Sequence, residues 1–116
     1  MLNLTQHKAT SDQLAQGVVE LAADDAACIK KWLTFDTLPA RSEIEERARF
    51  IADLALDYKI DAAMIGGAPF LMSALEKALK KRGIKPAYAF STRVSVEKEV
   101  EGEVIKTNVF KHVGFV

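Results

Sequence analysis

A chain of 116 residues has room for one domain around one core, and not for two. Sixteen basic residues balance sixteen acidic ones, so the basic excess on which duplex DNA binding depends is missing. A single cysteine, Cys28, excludes an intramolecular disulfide and a thiolate-only metal cage, and no apolar stretch approaches membrane-spanning length.

Met1–Leu4 runs straight into polar Thr5, Gln6, His7 and Lys8, which is no signal peptide, and the expected location is cytoplasmic. Leu2–Gln6 predicts a short strand halted at His7 and Lys8. Thr10, with Gln13 three residues on, forms a capping signature that opens a helical turn, and Gly17 can close it. Val18–Leu21 predicts a second short strand. Asp24 and Asp25 open a helix through Ile29 to Leu33, and Thr34–Ala40, with Pro39, is a loop. The strongest helix covers Ser42–Tyr58, with Ser42 and Glu45 as a second capping box. Ile44, Ala48, Ile51, Ala55 and Tyr58 draw one apolar stripe on it. Glu43, Glu46, Arg47 and Arg49 fall off the stripe and are expected in solvent.

Ala62–Ile65 is an apolar run ending at Gly66 and Gly67, as a buried strand would. Pro69 sits where a helix tolerates its missing N–H. Leu71, Leu75, Ala78 and Leu79 mark that helix's buried face, and Gly83 closes it. Ala87–Phe90 predicts a third apolar strand. From Arg93 to Val116 the period changes to alternation, with Glu101 and Gly102 as a hairpin turn. The predicted fold is α/β and Rossmann-like. A short, mostly parallel sheet carries helices on both faces and a C-terminal antiparallel hairpin, in one domain over residues 1–116.

Open α/β sheets bind ligands outside the carboxyl ends of their strands. Here polar or glycine-rich sequence follows each clear strand: Thr5, Gln6, His7 and Lys8; Gly66, Gly67, Ala68 and Pro69; Ser91, Thr92 and Arg93. The glycines either let a backbone approach a phosphate at a helix N-terminus or simply make a tight turn. His7 is either a phosphate donor or acid–base group, with Thr5 and Thr10 nearby, or a histidine bonded to a neighbouring loop. Arg93 suits bidentate phosphate contact, or begins a solvated strand. Lys106, Asn108, Phe110 and His112 share one hairpin face, either a polar groove or an outer surface. Val109, Val113 and Phe115 share the other, as core or interface. The two histidines lie far apart in sequence and the carboxylates cluster on helices, so no metal site or cofactor is expected. No nucleophile elbow accompanies a serine.

The same segments resemble the small standalone proteins, related to CRISPR-associated Rossmann folds, that accompany type III CRISPR systems. The likeness lies in the opening strand with His7, Thr10 and Gln13, and in Gly67 with Phe70, Leu71 and Met72. It continues through Tyr88–Arg93 and through Val104, Lys106, Phe110, His112, Val113 and Phe115. Val18–Asp61 carries no specific likeness. The resemblance implies binding of a cyclic oligoadenylate, such as cyclic tetra-adenylate, and metal-independent opening of the ring by a ribose 2′-OH. It gives His7 and Arg93 the catalytic roles. Thr5, Gln6, Thr10, Gly66, Gly67, Ala68, Ser91, Thr92, Lys106 and His112 would contact the ligand. It also fits a two-fold homodimer, because a ring of even unit number has its own two-fold axis. Two alternatives stay open: a module that senses or sequesters a nucleotide without turnover, and an interaction subunit that docks a partner through the hairpin.

Overall fold

The computed structural model describes residues Met1–Val116. Three short strands, β1 (Leu2–Asn3), β2 (Ala62–Met64) and β3 (Lys85–Ala87), form a parallel sheet in the order β1-β2-β3. Leu2 lies beside Ala63 and Asn3 beside Met64, which in turn lies beside Ala87. On the open side of β1 a single parallel bridge joins Leu2 to Val19, and the Asn3 amide donates to the Val19 carbonyl at 2.9 Å. The predicted Val18–Leu21 strand is thus only a bridge, since the chain turns into the next helix at Ala23.

That bridge fixes the winding. The chain leaves β1 in one direction to reach Val19, then returns across β1 to reach β2. With right-handed crossovers these opposite steps set α1 (Ser11–Ala15) on one face. They set α2 (Ala23–Leu33), α3 (Arg41–Leu56) and α4 (Pro69–Lys81) on the other. The fold is Rossmann-like α/β with helices on both faces. No helix is long and apolar enough to cross a membrane.

Leu2, Leu4, Ala63 and Ile65 alternate onto the three-helix side and join one buried cluster with Ile29, Ile51, Leu71, Leu75 and Leu79. Ala48, Ala52 and Ala55 are buried along α3, where small side chains leave room for α4 to pack closely.

The helix ends correct two expectations. Thr10 and Gln13 do form a reciprocal capping box, whereas Ser42 caps nothing. Ala40 is already extended directly after Pro39, so α3 starts at Arg41 and Ser42 falls inside its first turn. Arg47, expected in solvent, folds back over the end of α2. Its Nη1 donates to the carbonyls of Thr34 at 2.6 Å and Trp32 at 3.3 Å, with the guanidinium 4.2 Å from the Phe35 ring centre. A cation on the last carbonyls of a helix satisfies acceptors that have no partner within it.

Tyr58 does the converse at the start of α2, where Ala22 has no side-chain cap. Its hydroxyl accepts from the Ala22 amide at 2.9 Å and donates to the Asp25 carboxylate. The hydrogen bond to Asp25, then burial, push the phenol above its ordinary 10.0. The folded state therefore holds this proton more tightly than the unfolded chain. The stability it contributes is full below pH 10 and declines as pH rises through the raised value. Tyr58→Phe is expected to unfold about 1–2 kcal/mol more easily at neutral pH, the value of a lost cap and hydrogen bond. It should also lose less stability than wild type on the way to about pH 11. Urea titrations across this range check both; parallel pH profiles would remove Tyr58 from the account.

The C-terminal hairpin is longer than the sheet it leaves. Tyr88 exchanges backbone hydrogen bonds with Val116 at 2.7 and 2.8 Å, which divides the predicted Ala87–Phe90 strand. Ala87 ends β3, and Ala89 begins β4 (Ala89–Val100), paired with β5 (Glu103–Phe115). Glu101 (φ 53°) and Gly102 (φ 81°) make the expected two-residue turn, both left-handed as such turns require. Every residue of β4 is exposed, and the hairpin projects as an arm. The radius of gyration is 16.9 Å, against about 13 Å for a compact domain of this length. At the root, Ser91 pairs with His112 and Phe90 with Gly114, so Val113 is an extra residue. This bulge reverses the alternation. The predicted row of Val109, Val113 and Phe115 does not form, and the Phe115 ring lies 4.9 Å from His112 instead.

Candidate functional site

The backbone ladder between β1 and β2 ends where the Leu4 amide donates to the Met64 carbonyl. Beyond it the two strands feed opposite faces, Thr5–Ala9 leading to α1 and Gly66–Ala68 leading to α4. Adjacent strands whose connections diverge leave a crevice at their carboxyl ends, the switch point at which open α/β sheets bind ligands. A cavity of about 410 Å³ occupies it, walled by Thr5–Lys8, Thr10 and Gln13 on one side and by Ile65–Gly67, Tyr88 and Ala89 on the other. A second hollow of about 230 Å³ lies behind the same loop, toward Glu20 and Lys30. Residues 5–8 form a ridge between the two.

Asn3 holds that ridge. Although 4% exposed, it satisfies its whole amide. Nδ2 donates to the His7 carbonyl at 2.8 Å and to Glu20 Oε1 at 2.7 Å. Oδ1 accepts from the Thr5 amide at 3.0 Å and the Thr5 hydroxyl at 2.7 Å. Glu20 also accepts from the Ala9 amide at 3.2 Å. The loop's own backbone is thereby drawn inward, and the His7 and Lys8 side chains are left exposed.

The amides of Gln6, Lys8, Gly66 and Gly67, all on residues of the cavity wall, donate to no backbone carbonyl. Unpaired amides grouped with one ammonium favour an anion. Gly67 has φ +149°, a conformation that side chains rarely adopt, while a Cβ there would meet Met72 and Leu33 at ordinary contact distance. Gly67→Ala should therefore destabilise through backbone strain, by about 1–3 kcal/mol. Gly66 has no such φ, and Gly66→Ala should be milder. Equal urea midpoints for the two variants would contradict this account.

The structure thus gathers Thr5, Gln6, His7, Thr10, Gly66 and Gly67 around one cavity, with Ala68 beside it as the cap residue of α4. It does not bring in Ser91, Thr92, Arg93, Lys106 or His112. The strand predicted to end before Ser91 continues into the arm and carries these residues outward. Arg93 pairs with Phe110, its guanidinium 5.6 Å from that ring. Lys106 lies 3.8 Å from Glu97. His112 is buried at the arm's root, its Nε2 3.0 Å from Gln16 Oε1 and its Nδ1 without a partner. Sequence reasoning did not find Asn3, Glu20, Gln13 as a wall residue, or Tyr88, whose phenol burial and nearby Glu76 hold above its ordinary value. An asparagine between two leucines at the head of a buried strand was the available signal.

The sequence profile of the Uncharacterized protein MJ1673 family matches residues 1–116, the whole chain. The chain belongs to that family. No curated protein and no solved structure matches it. The description of the MJ1673 family carries no activity, so the chemistry rests on the crevice itself.

Proposed function

We propose that this member of the MJ1673 family binds a cyclic oligoadenylate at the switch-point crevice and opens the ring. The observation that carries the reading is the grouping of unpaired amides, Lys8 and His7 at one crevice. The resemblance to the small companions of type III CRISPR systems supplies the ligand class. A cavity of 410 Å³ suits one nucleotide rather than a ring of four. The ring is therefore shared by two copies about its own two-fold axis.

In the reaction a ribose 2′-oxygen attacks the adjacent phosphorus. The P–O5′ bond breaks, leaving a 2′,3′-cyclic phosphate and a 5′-hydroxyl. One proton leaves the 2′-OH and one reaches the departing 5′-oxygen, and in this reading His7 carries it. Lys8 and the free amides would face the phosphorane oxygens. The nucleophile belongs to the substrate, so no metal-activated water is needed. Cleavage of cyclic tetra- or hexa-adenylate, followed by chromatography, should survive EDTA; a requirement for added divalent ion would overturn the mechanism. Lys8→Ala should weaken binding by about 1.5–3 kcal/mol, the value of hydrogen bonds to charged groups.

The position of Arg93 on the arm favours a second reading, in which the crevice holds the nucleotide without turnover. Retained ligand with no linear product in the same assay would select it.

A further inference from the structure

The arm has two unlike faces. On one, the polar groups pair with each other: Lys106 lies beside Glu97 and the Ser95 hydroxyl donates to Asn108 at 3.2 Å. The Arg93 guanidinium stands 5.6 Å from the ring centre of Phe110, which with Val104 is an isolated exposed apolar side chain there. The same face at the root meets α1 through His112 and Gln16. The other face has no partner. From the turn inward it consists of five cross-strand rows: Val100 with Glu103, Lys98 with Ile105, Val96 with Thr107, Val94 with Val109, and Thr92 with Lys111. Its five apolar side chains are 38–47% exposed. A two-stranded hairpin is marginal by itself in water, and a layer on one face is what stabilises it.

We propose that a second copy of this chain supplies that layer, the two arms packing face to face and tip to root. The row pattern argues for this occupant. A two-fold axis lying between the arms, across the strands, sets the first row on the fifth, the second on the fourth, and the middle row on itself. Each strand then lies over its own counterpart. Glu103 meets Lys111 of the partner subunit at both ends, Ile105 meets the partner's Val109, and Val96 meets the partner's Val96. A tip-to-tip arrangement would gather both Glu103 carboxylates at one end and both Lys111 ammoniums at the other. Glu103 and Lys111 are complementary only in the tip-to-root sense, and the face's third charge, Lys98, lies over the partner's Val94 there.

This interface is independent of the ligand assignment and does not supply the two-fold axis which that reading uses. Ala89 of the crevice wall is seven residues from Val96 on the axis, so tip-to-root arms hold the two crevices about 45 Å apart. A shared ring needs a different pairing of the domains. The five rows span about 30 Å by 10 Å, well under the ~800 Å² per partner of a tight complex. The dimer is therefore of the weak class and must be measured at high concentration.

Light scattering without nucleotide should give a dimeric mass at about 100 μM protein, falling toward monomer below about 1 μM. Lys111→Glu and Glu103→Lys, both at exposed positions, should each weaken association at least about tenfold, and the double variant should restore it. In a Cys28→Ser background, Val96→Cys should be joined to itself by a short bis-maleimide, and Val100→Cys much less. A monomer at every concentration would overturn the proposal. Single reversals without effect, or equal cross-linking at positions 96 and 100, would do so as well. A dimer that behaves as expected yet binds no nucleotide would leave the interface standing and remove only the crevice reading.

Discussion

His7→Ala is expected to slow ring opening by about 10²–10⁴-fold, the usual contribution of a positioned acid–base group. Ligand affinity should change by no more than a few-fold. The separation follows from how the ridge is built. The His7 carbonyl is held by Asn3 and its amide lies 3.4 Å from the Thr5 hydroxyl, so the backbone is fixed without the imidazole. The exposed ring makes no hydrogen bond in the fold, and its removal leaves unchanged Lys8 and the four unpaired amides, which in the proposed reading bind the phosphate. Single-turnover rates with saturating enzyme, beside equilibrium binding of the intact ring, separate the two effects. Loss of affinity as large as the loss of rate would make His7 a binding group. An unchanged rate would place the proton transfer elsewhere.

The parts of the molecule governed by local rules were the parts legible in sequence. Thr10 and Gln13 reach each other because a capping box needs only three-residue spacing, and Glu101–Gly102 turns because two left-handed residues between alternating strands have one common solution. The crevice could be placed from strand ends alone, since Thr5–His7 and Gly66–Gly67 follow the two strands that flank the switch point. Its third wall could not. Ala87–Phe90 is apolar throughout, and nothing in its composition says that Tyr88 will break it by pairing with Val116. That break carries Arg93 away from the crevice onto the arm. The Val113 bulge has the same character. A single extra residue, invisible to a count of alternation, turns Phe115 onto His112 and leaves the apolar row incomplete. Arg47 was misplaced because a charge off the apolar stripe ordinarily points to water, whereas here the open carbonyls of α2 lie within its reach.

Asn3→Ala should damage stability and turnover together. It would remove four hydrogen bonds from a buried amide and leave the Thr5 amide without its partner, while the His7 carbonyl keeps only the Thr5 hydroxyl at 3.1 Å. Glu20 can turn to water, but the Thr5 amide has less freedom to do so. The loss should be about 2–4 kcal/mol, one unpaired buried amide costing about 1–3 and each of the other lost hydrogen bonds about 0.5–1.5. For a chain of this length that corresponds to a melting point roughly 10 °C lower. The ridge would also lose its fixed geometry, so ring opening should slow even at temperatures where the variant remains folded. A stability loss alone cannot tell a specific network from simple packing, and Asn3→Asp makes that distinction. The aspartate keeps the shape and the acceptor for Thr5, but sets a second carboxylate oxygen against the His7 carbonyl and Glu20. Despite its near-identical volume it should be at least as destabilising as alanine. Adding Glu20→Gln returns a donor to that position and should recover about 1 kcal/mol or more relative to the sum of the single changes. Thermal melts of the four proteins close the cycle. Strict additivity would mean that Asn3 merely fills space, and that the ridge carrying His7 is held by something else.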